Sequence, residues 1–435
     1  MSKKEDEDKV RLSCLHYLFM ASGKPARKLY SMDWVVERTM TAASYYRETW
    51  ADIDLDAVAI NVRNMKKRIP EDVALLAVVK ANGYGHGALQ IAQTALDNGA
   101  SWLAVALFDE ALALRKQGIE APILVLSPVP PQHAGLAAKN HIALTVSDGQ
   151  WVKRARESYT AKEPVFLHLS CDTGMGRIGI RSRDEASAFV AEIGRDPCFV
   201  IEGMFTHFAT ADQDDEAYFN EQYTRFEMMV DWIQELGVRP AVIHCGNSAT
   251  TLKYPAEKRH LFNLVRYGIA MYGLSPSQEM VKQLPFELKR AMSLHSRLTY
   301  VKQVEKGSFI GYGATYQSSK DEWIGTVPIG YADGWLRGLQ GTDVLIDGQR
   351  CPIVGRICMD QFMCRLPQAY PEGTEVTLIG KNGAEEVTAD ERARQLQTIN
   401  YEVTCMIHPR VPRVYWKNSE KIATSNPILS AADET

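Results

Sequence analysis

The chain lacks any Cys-x-x-Cys pair and any cysteine–histidine spacing that would hold a metal, although it carries eight cysteines. They are scattered at positions 14, 171, 198, 245, 351, 358, 364 and 405. Such a distribution reads as reduced thiols of a cytoplasmic protein, not as a disulfide framework. No apolar run approaches the roughly 18 residues of a membrane span, so no membrane association is expected. Neither sign of charge dominates: the formal net charge is −4 over 435 residues. That excludes the strong basic bias of a nucleic-acid or membrane-surface binder. Internal repeats and low-complexity tracts are absent as well.

Residues 1–45 mix Ser-Lys-Lys-Glu-Asp-Glu-Asp with scattered aromatics and contain no apolar stretch before a small-residue cleavage site. This argues against a secretory signal and reads as a poorly ordered extension, with Met32 or Met40 as alternative starts. A chain of this length has room for two domains with separate cores. Strand-like runs at Ala74–Val79, Trp102–Ala106, Ile123–Leu126, Ala143–Val146, Val165–Leu169, Val200–Phe205, Ala241–His244 and Leu264–Met271 alternate with helical patterns. Eight such units favour an α/β fold closed as a (β/α)8 TIM barrel, over residues 46–285. Beyond it, short strands at Ser293–Val304, Trp323–Pro328, Val344–Ile346, Cys351–Val354 and Val376–Ile379 alternate with turns such as Asp347-Gly348 and Asn382-Gly383. They predict a mainly β C-terminal domain over 286–420, with a tail at 421–435.

The richest segment is Val73-Ala-Leu-Leu-Ala-Val-Val-Lys80-Ala-Asn-Gly-Tyr84-Gly-His86-Gly87. Seven apolar residues ending in a cation describe a strand covered on both faces, and barrel chemistry sits where such strands end. A buried lysine escapes the penalty of an unpaired ammonium when its amine is held as a Schiff base. The residues alone leave a second reading equally open, a strand-end lysine reaching solvent before an ordinary turn. A Gly-x-Gly-x-x-Gly pattern at Gly174, Gly176 and Gly179 follows a strand, yet no helix opens at its third glycine. The next N-cap is Ser182, so a dinucleotide fold is rejected.

VVKANGYGHG resembles the cofactor-lysine motif of the alanine racemases, enzymes of fold type III that use pyridoxal 5′-phosphate (PLP). The similarity runs from about Trp50 to about Tyr415, with the family's motifs in order. It implies the same barrel, with a first strand at Thr49–Leu55 that pairs with the C-terminal domain. It also implies a homodimer and a two-base interconversion of L- and D-alanine that supplies D-alanine for peptidoglycan. Lys80 is then one base. Tyr312, in Ile310-Gly-Tyr-Gly-Ala-Thr-Tyr316, is the other, supplied across the subunit interface. His207 and Arg266 link to it, Arg266 facing the pyridine nitrogen and His244 supporting Arg266 from behind. Tyr84, Ser248, Gly268, Ile269 and Tyr401 match the phosphate contacts. Arg177 and the Met359 backbone match the contacts to the substrate carboxylate, Tyr331 and Tyr401 narrow the entrance, and Asp360 supports the site.

One departure stands out. Where many relatives carry a carbamylated lysine that holds the carboxylate-binding arginine, this chain has Ser170. An anion, water or another side chain is then expected to orient Arg177. Ser170 keeps a broader amino-acid racemase, acting on serine for example, as an alternative. A PLP carrier without turnover is a further one, weakened by the presence of Tyr312, and Arg266 disfavours a decarboxylase.

Overall fold

The computed structural model describes residues 45–194, 196–255 and 260–430. The expected N-terminal extension, up to residue 44, lies outside the described residues, as do 431–435 of the expected tail.

Eight parallel strands form the first sheet: Ala74–Val78, Trp102–Val105, Ile123–Pro128, Ile142–Val146, Val165–Ser170, Phe199–Phe205, Val242–His244 and Leu264–Tyr267. The last pairs back onto the first, with Leu264 opposite Ala74. The remaining seam is bridged by the Asn263 N–H donating to Ile243 O at 3.3 Å and the Arg266 N–H donating to Gly246 O at 3.0 Å. The result is the expected barrel, nearly closed. Helices cover it because each carries one apolar stripe. In Ala217–Glu235 the buried Phe219, Tyr223, Phe226, Val230 and Ile233 recur every three or four residues. The N-caps are also local: Asp54, Asp148 and Ser182 each accept an amide three residues on. The last of these matches the helix start expected after the glycine-rich loop. The strand expected to continue to Met271 stops at Tyr267 and turns into a 3₁₀ segment at Ile269–Tyr272.

The second sheet is built around the first strand of the chain. Thr49–Asp54 pairs antiparallel with Met292–Arg297 and parallel with Arg413–Lys417. The segment read as one strand over Ser293–Val304 is two, Met292–Arg297 and Tyr300–Val304, which pair with different neighbours. The tail also needs correction, since Glu420–Ser425 is the outer strand beside Arg413–Lys417. At Asp347-Gly348 both residues take positive φ, 49° and 71°, the backbone a two-residue hairpin requires. Among the described residues no helix is long and apolar enough to cross a membrane.

Candidate active site

Strand Ala74–Val78 delivers Lys80 to the C-terminal mouth of the barrel. The backbone just beyond it is unusual: Ala81, Asn82, Gly83 and Tyr84 take φ of 52°, 52°, 60° and 50°, one turn of left-handed helix. For L-residues this costs about 1–2 kcal/mol each; Gly83 is exempt and Asn82 tolerates the conformation better than Ala81 or Tyr84. The surroundings hold the turn in place. Glu110 Oε1 accepts the Ala81 N–H at 2.6 Å, and Asn82 Oδ1 accepts the Ala88 N–H at 3.0 Å. Backbone N–H groups of Gly83 and Gly85 donate to Val79 O and Ala81 O. A side chain at Gly85 would strike Thr404 O at 2.1 Å, so helix Asn400–Cys405 lies directly against the loop. That helix carries Tyr401.

These elements surround a cavity of about 860 Å³ lined by Lys80, Tyr84, Arg177, His207, Ser248, Arg266, Gly268, Ile269 and Tyr401. All nine residues were expected at the site from the sequence. Lys80 is half-buried, and no described carboxylate reaches salt-bridge distance of its amine. Burial lowers its pKa, followed by the neighbouring Arg177; Cys405 and Glu110 oppose this, and Arg266 adds a smaller push downward. A lowered pKa leaves more of the amine neutral, and so nucleophilic, at a given pH.

Arg266 is buried, not the surface arginine that a strand end alone would allow. Its Nη1 donates to His244 Nδ1 at 2.9 Å and to His244 O at 3.2 Å. Its Nη2 donates to Thr206 O at 2.8 Å, Cys245 O at 3.2 Å and His207 Nδ1 at 3.3 Å. Burial brings its pKa down to about 10, which leaves it charged. His207 is pushed down to about 3, by burial first and then by Arg266, Arg177 and Lys80. His244 is held well below the usual histidine range by burial and Arg266. Both imidazoles are therefore neutral. Because His207 Nδ1 accepts from Arg266, its proton sits on Nε2, where it is available as a donor.

Opposite this cluster lies a small cradle. Ser248 opens the helix Ser248–Lys253, and its Oγ accepts the Gly268 N–H at 2.8 Å. A Cβ at Gly268 would stand 3.1 Å from Tyr84 Oη and 3.6 Å from Ser248 Oγ. The space a side chain would fill is edged by hydroxyls and an amide, which suits a phosphate.

The loop bearing Arg177 is pinned through its backbone. Asp172 Oδ1 accepts the amides of Gly174 and Gly176, Tyr218 donates to Gly174 O, and Arg225 donates to Thr173 O. The guanidinium is not pinned: Arg177 is exposed and makes no hydrogen bond with a described residue. Ser170 Oγ donates to Ile178 O at 3.1 Å, so no described side chain substitutes for the missing lysine.

Five expected site residues do not line the cavity of their own chain: His244, buried behind Arg266, and four on the β domain. Tyr312 is 71% exposed, Met359 52% and Tyr331 39%, all on the β domain. Asp360 is also exposed and paired with Arg410 at 2.7 Å. Sequence reading missed Glu110, Cys405 and Met175, of which the last two line the cavity, and also His168, which touches His244. Only His168 left a visible signal, a histidine inside the apolar run Val165–Leu169.

Residues 53–276 match the family description "Alanine racemase, N-terminal domain", and 291–415 match "Alanine racemase, C-terminal domain". An alanine racemase of Geobacillus stearothermophilus is 53% identical over 384 residues, covering 88% of this chain and 97% of that protein. The crystal structure of an alanine racemase from Bacillus anthracis with bound L-Ala-P superposes with TM-score 0.87 at 48% identity, covering 89% of this chain and all of that one. A histidine racemase of Leuconostoc mesenteroides is similar too, with TM-score 0.80 at 31% identity over 86% of this chain and all of its own length. Two matched domains and half-identical relatives along nearly the full length establish that the chain belongs to the alanine racemase family.

Proposed function

We propose that the chain interconverts L-alanine and D-alanine with pyridoxal 5′-phosphate, as a cytoplasmic homodimer that supplies D-alanine for peptidoglycan. One observation carries the reading: a half-buried amine at a barrel strand end with two guanidinium groups and a neutral imidazole around one cavity.

The residues suit the cofactor. The cradle at Gly268 accepts a phosphate, with Tyr84, Ser248, Ile269 and Tyr401 around it. Lys80 would hold the aldehyde carbon, and Arg266 would face the ring nitrogen. When bound, the cofactor supplies a sink for the electron pair left as the α-proton departs. Arg266 does not yield its proton near neutral pH, so it keeps that sink weak and favours return of a proton to the α-carbon. The lowered pKa of the Lys80 amine favours its neutral form, so Nζ can take up a proton on one face and give it back. Arg177, free at its tip, is the planar partner for the substrate carboxylate.

The second face needs a second base. Tyr312 is absent from its own chain's cavity and exposed, as Tyr331 and Met359 are. These exposures support a second copy that brings Tyr312 Oη, Tyr331 and Met359 to the first copy's site. The Nε2–H of His207 would then donate to the phenol oxygen and stabilise it without its proton. The described cysteines are free, as suits the cytosol.

A broader amino-acid racemase is the second reading. The unpartnered Arg177 and the similarity to a histidine racemase favour it. Chiral chromatography of an L-amino-acid panel decides: alanine should turn over fastest by a wide margin, and comparable rates on serine would replace the alanine reading. No turnover on any substrate, with the cofactor bound, would leave only a carrier.

A further inference from the structure

Behind Arg266 runs a row of hydrogen bonds that the chemistry above does not use. His244 Nε2 lies 3.0 Å from His168 Nδ1, and His168 Nε2 lies 3.2 Å from Glu202 Oε2. His168 and His244 are fully buried. The direction of the row is set by its first member. Arg266 Nη1 can only donate, so His244 Nδ1 must be the bare nitrogen and its proton must sit on Nε2. That proton points at His168 Nδ1, which must also be bare. His168 therefore carries its proton on Nε2 and donates it to the Glu202 carboxylate. A second proton on either ring would set two N–H groups against each other.

The backbone is shaped for this arrangement. The pairing of Val165–Ser170 with Phe199–Phe205 matches Leu167 to Ile201 and His168 to Gly203, so Glu202 is the extra residue of a β-bulge. Bulges re-aim a side chain that regular pairing would send elsewhere. The next residue has to be glycine: a Cβ at Gly203 would stand 2.5 Å from His168 Cε1 and Nδ1, and 2.8 Å from Val242 O.

We propose that Glu202 is a positioning residue for racemisation: through His168 and His244 it locks both proton tautomers and so fixes the Arg266 guanidinium at the cofactor site. The inference rests on the reading that Arg266 faces the cofactor ring nitrogen. Without the carboxylate the His168 Nε2–H has no acceptor and Arg266 alone sets the order, so the row is held from one end only and its tautomers can mix.

The test uses the full-length protein with ¹⁵N-labelled histidines, in apo and PLP-loaded forms. Histidine tautomers are read by solid-state NMR, with His168→Gln assigning its signal. Wild type should show bare Nδ1 and protonated Nε2 at both rings. Glu202→Leu should mix the tautomers and lower kcat about tenfold, the scale seen when a group supporting a functional ligand is removed, with KM changed less than about twofold. Glu202→Gln retains an acceptor oxygen and should keep the wild-type tautomers and most of kcat. Glu202→Ala carries the leucine expectation if that variant does not fold. Unchanged tautomers in the leucine or alanine variant would overturn the proposal, even if stability fell. A wild-type protein that takes up no cofactor would instead defeat the reading of the site and leave the tautomer result standing.

Discussion

Arg266 Nη2 lies 3.3 Å from His207 Nδ1, a cation donating into an imidazole that burial and neighbouring positive charge keep neutral. The contact works in one direction only. It uses the His207 lone pair and leaves its single proton for a partner on the cavity side. Replacing Arg266 by lysine removes the planar fork while keeping the charge. Several of His244 Nδ1, Thr206 O, Cys245 O and His207 Nδ1 would lose their donor. Unpaired buried acceptors cost about 1–3 kcal/mol each. Arg266→Lys should lower unfolding free energy by about 3–5 kcal/mol in urea titrations. A loss under about 1 kcal/mol would mean that water replaces the fork.

Lys80→Ala should abolish the visible absorption of the bound cofactor and lower kcat/KM by at least about a thousandfold. Retention of both the band and the activity would remove Lys80 from the mechanism.

Tyr312 offers a test that does not depend on a partner structure. Lys80→Ala and Tyr312→Phe homodimers should each be nearly inactive. Refolded together at equal concentration, half the dimers should be mixed, and each mixed dimer holds one intact site if Tyr312 crosses a two-fold interface. Recovery of about one quarter of wild-type activity is expected. Absence of recovery would place both bases on one chain or remove Tyr312 from catalysis.

The phosphate cradle is probed by Gly268→Ala. The added methyl would sit 3.1 Å from Tyr84 Oη, in the space assigned to the phosphate. The Kd for pyridoxal 5′-phosphate, followed by absorbance, should rise at least about tenfold, or about 1.4 kcal/mol. An unchanged Kd would locate the phosphate elsewhere.

Acid should destabilise this protein before its carboxylates titrate. Burial holds His207 at about 3 and His86 at about 4, and sets His244 well below its usual range. In the unfolded chain each titrates near 6.5. Between those limits the unfolded state binds more protons, so stability is full above about 6.5 and falls as pH drops toward 4. Each histidine contributes at most about 1.4 kcal/mol per pH unit. Thermal unfolding should show Tm falling over this window, and His86→Gln should flatten the slope. A flat profile from pH 7 to pH 4.5 would contradict these directions.

Much of this was readable before any coordinates, for physical reasons that differ by residue. Lys80 stood out because an apolar run of seven ends in a cation, although the residues alone left a solvent-reaching lysine equally open and the family resemblance chose between the two. The eight barrel strands were visible because parallel strands buried on both faces are nearly all apolar. Other features left little trace. The left-handed turn at Ala81–Tyr84 is enforced by Glu110 from another βα unit, and nothing in Ala-Asn-Gly-Tyr demands it. The bulge at Glu202 appears only when two strands are paired. Arg392, fully buried in helix Ala389–Leu396, makes that helix look more polar than its packing. Strand Phe362–Leu366 does alternate buried and open positions, but five residues are too few to separate from a loop.

The placement of Thr49–Asp54 has a consequence for biogenesis. It lies between Met292–Arg297 and Arg413–Lys417, so the earliest described strand is completed by almost the last. During synthesis the barrel can assemble while its leading strand waits, one edge open, for the ribosome to deliver residues past 413.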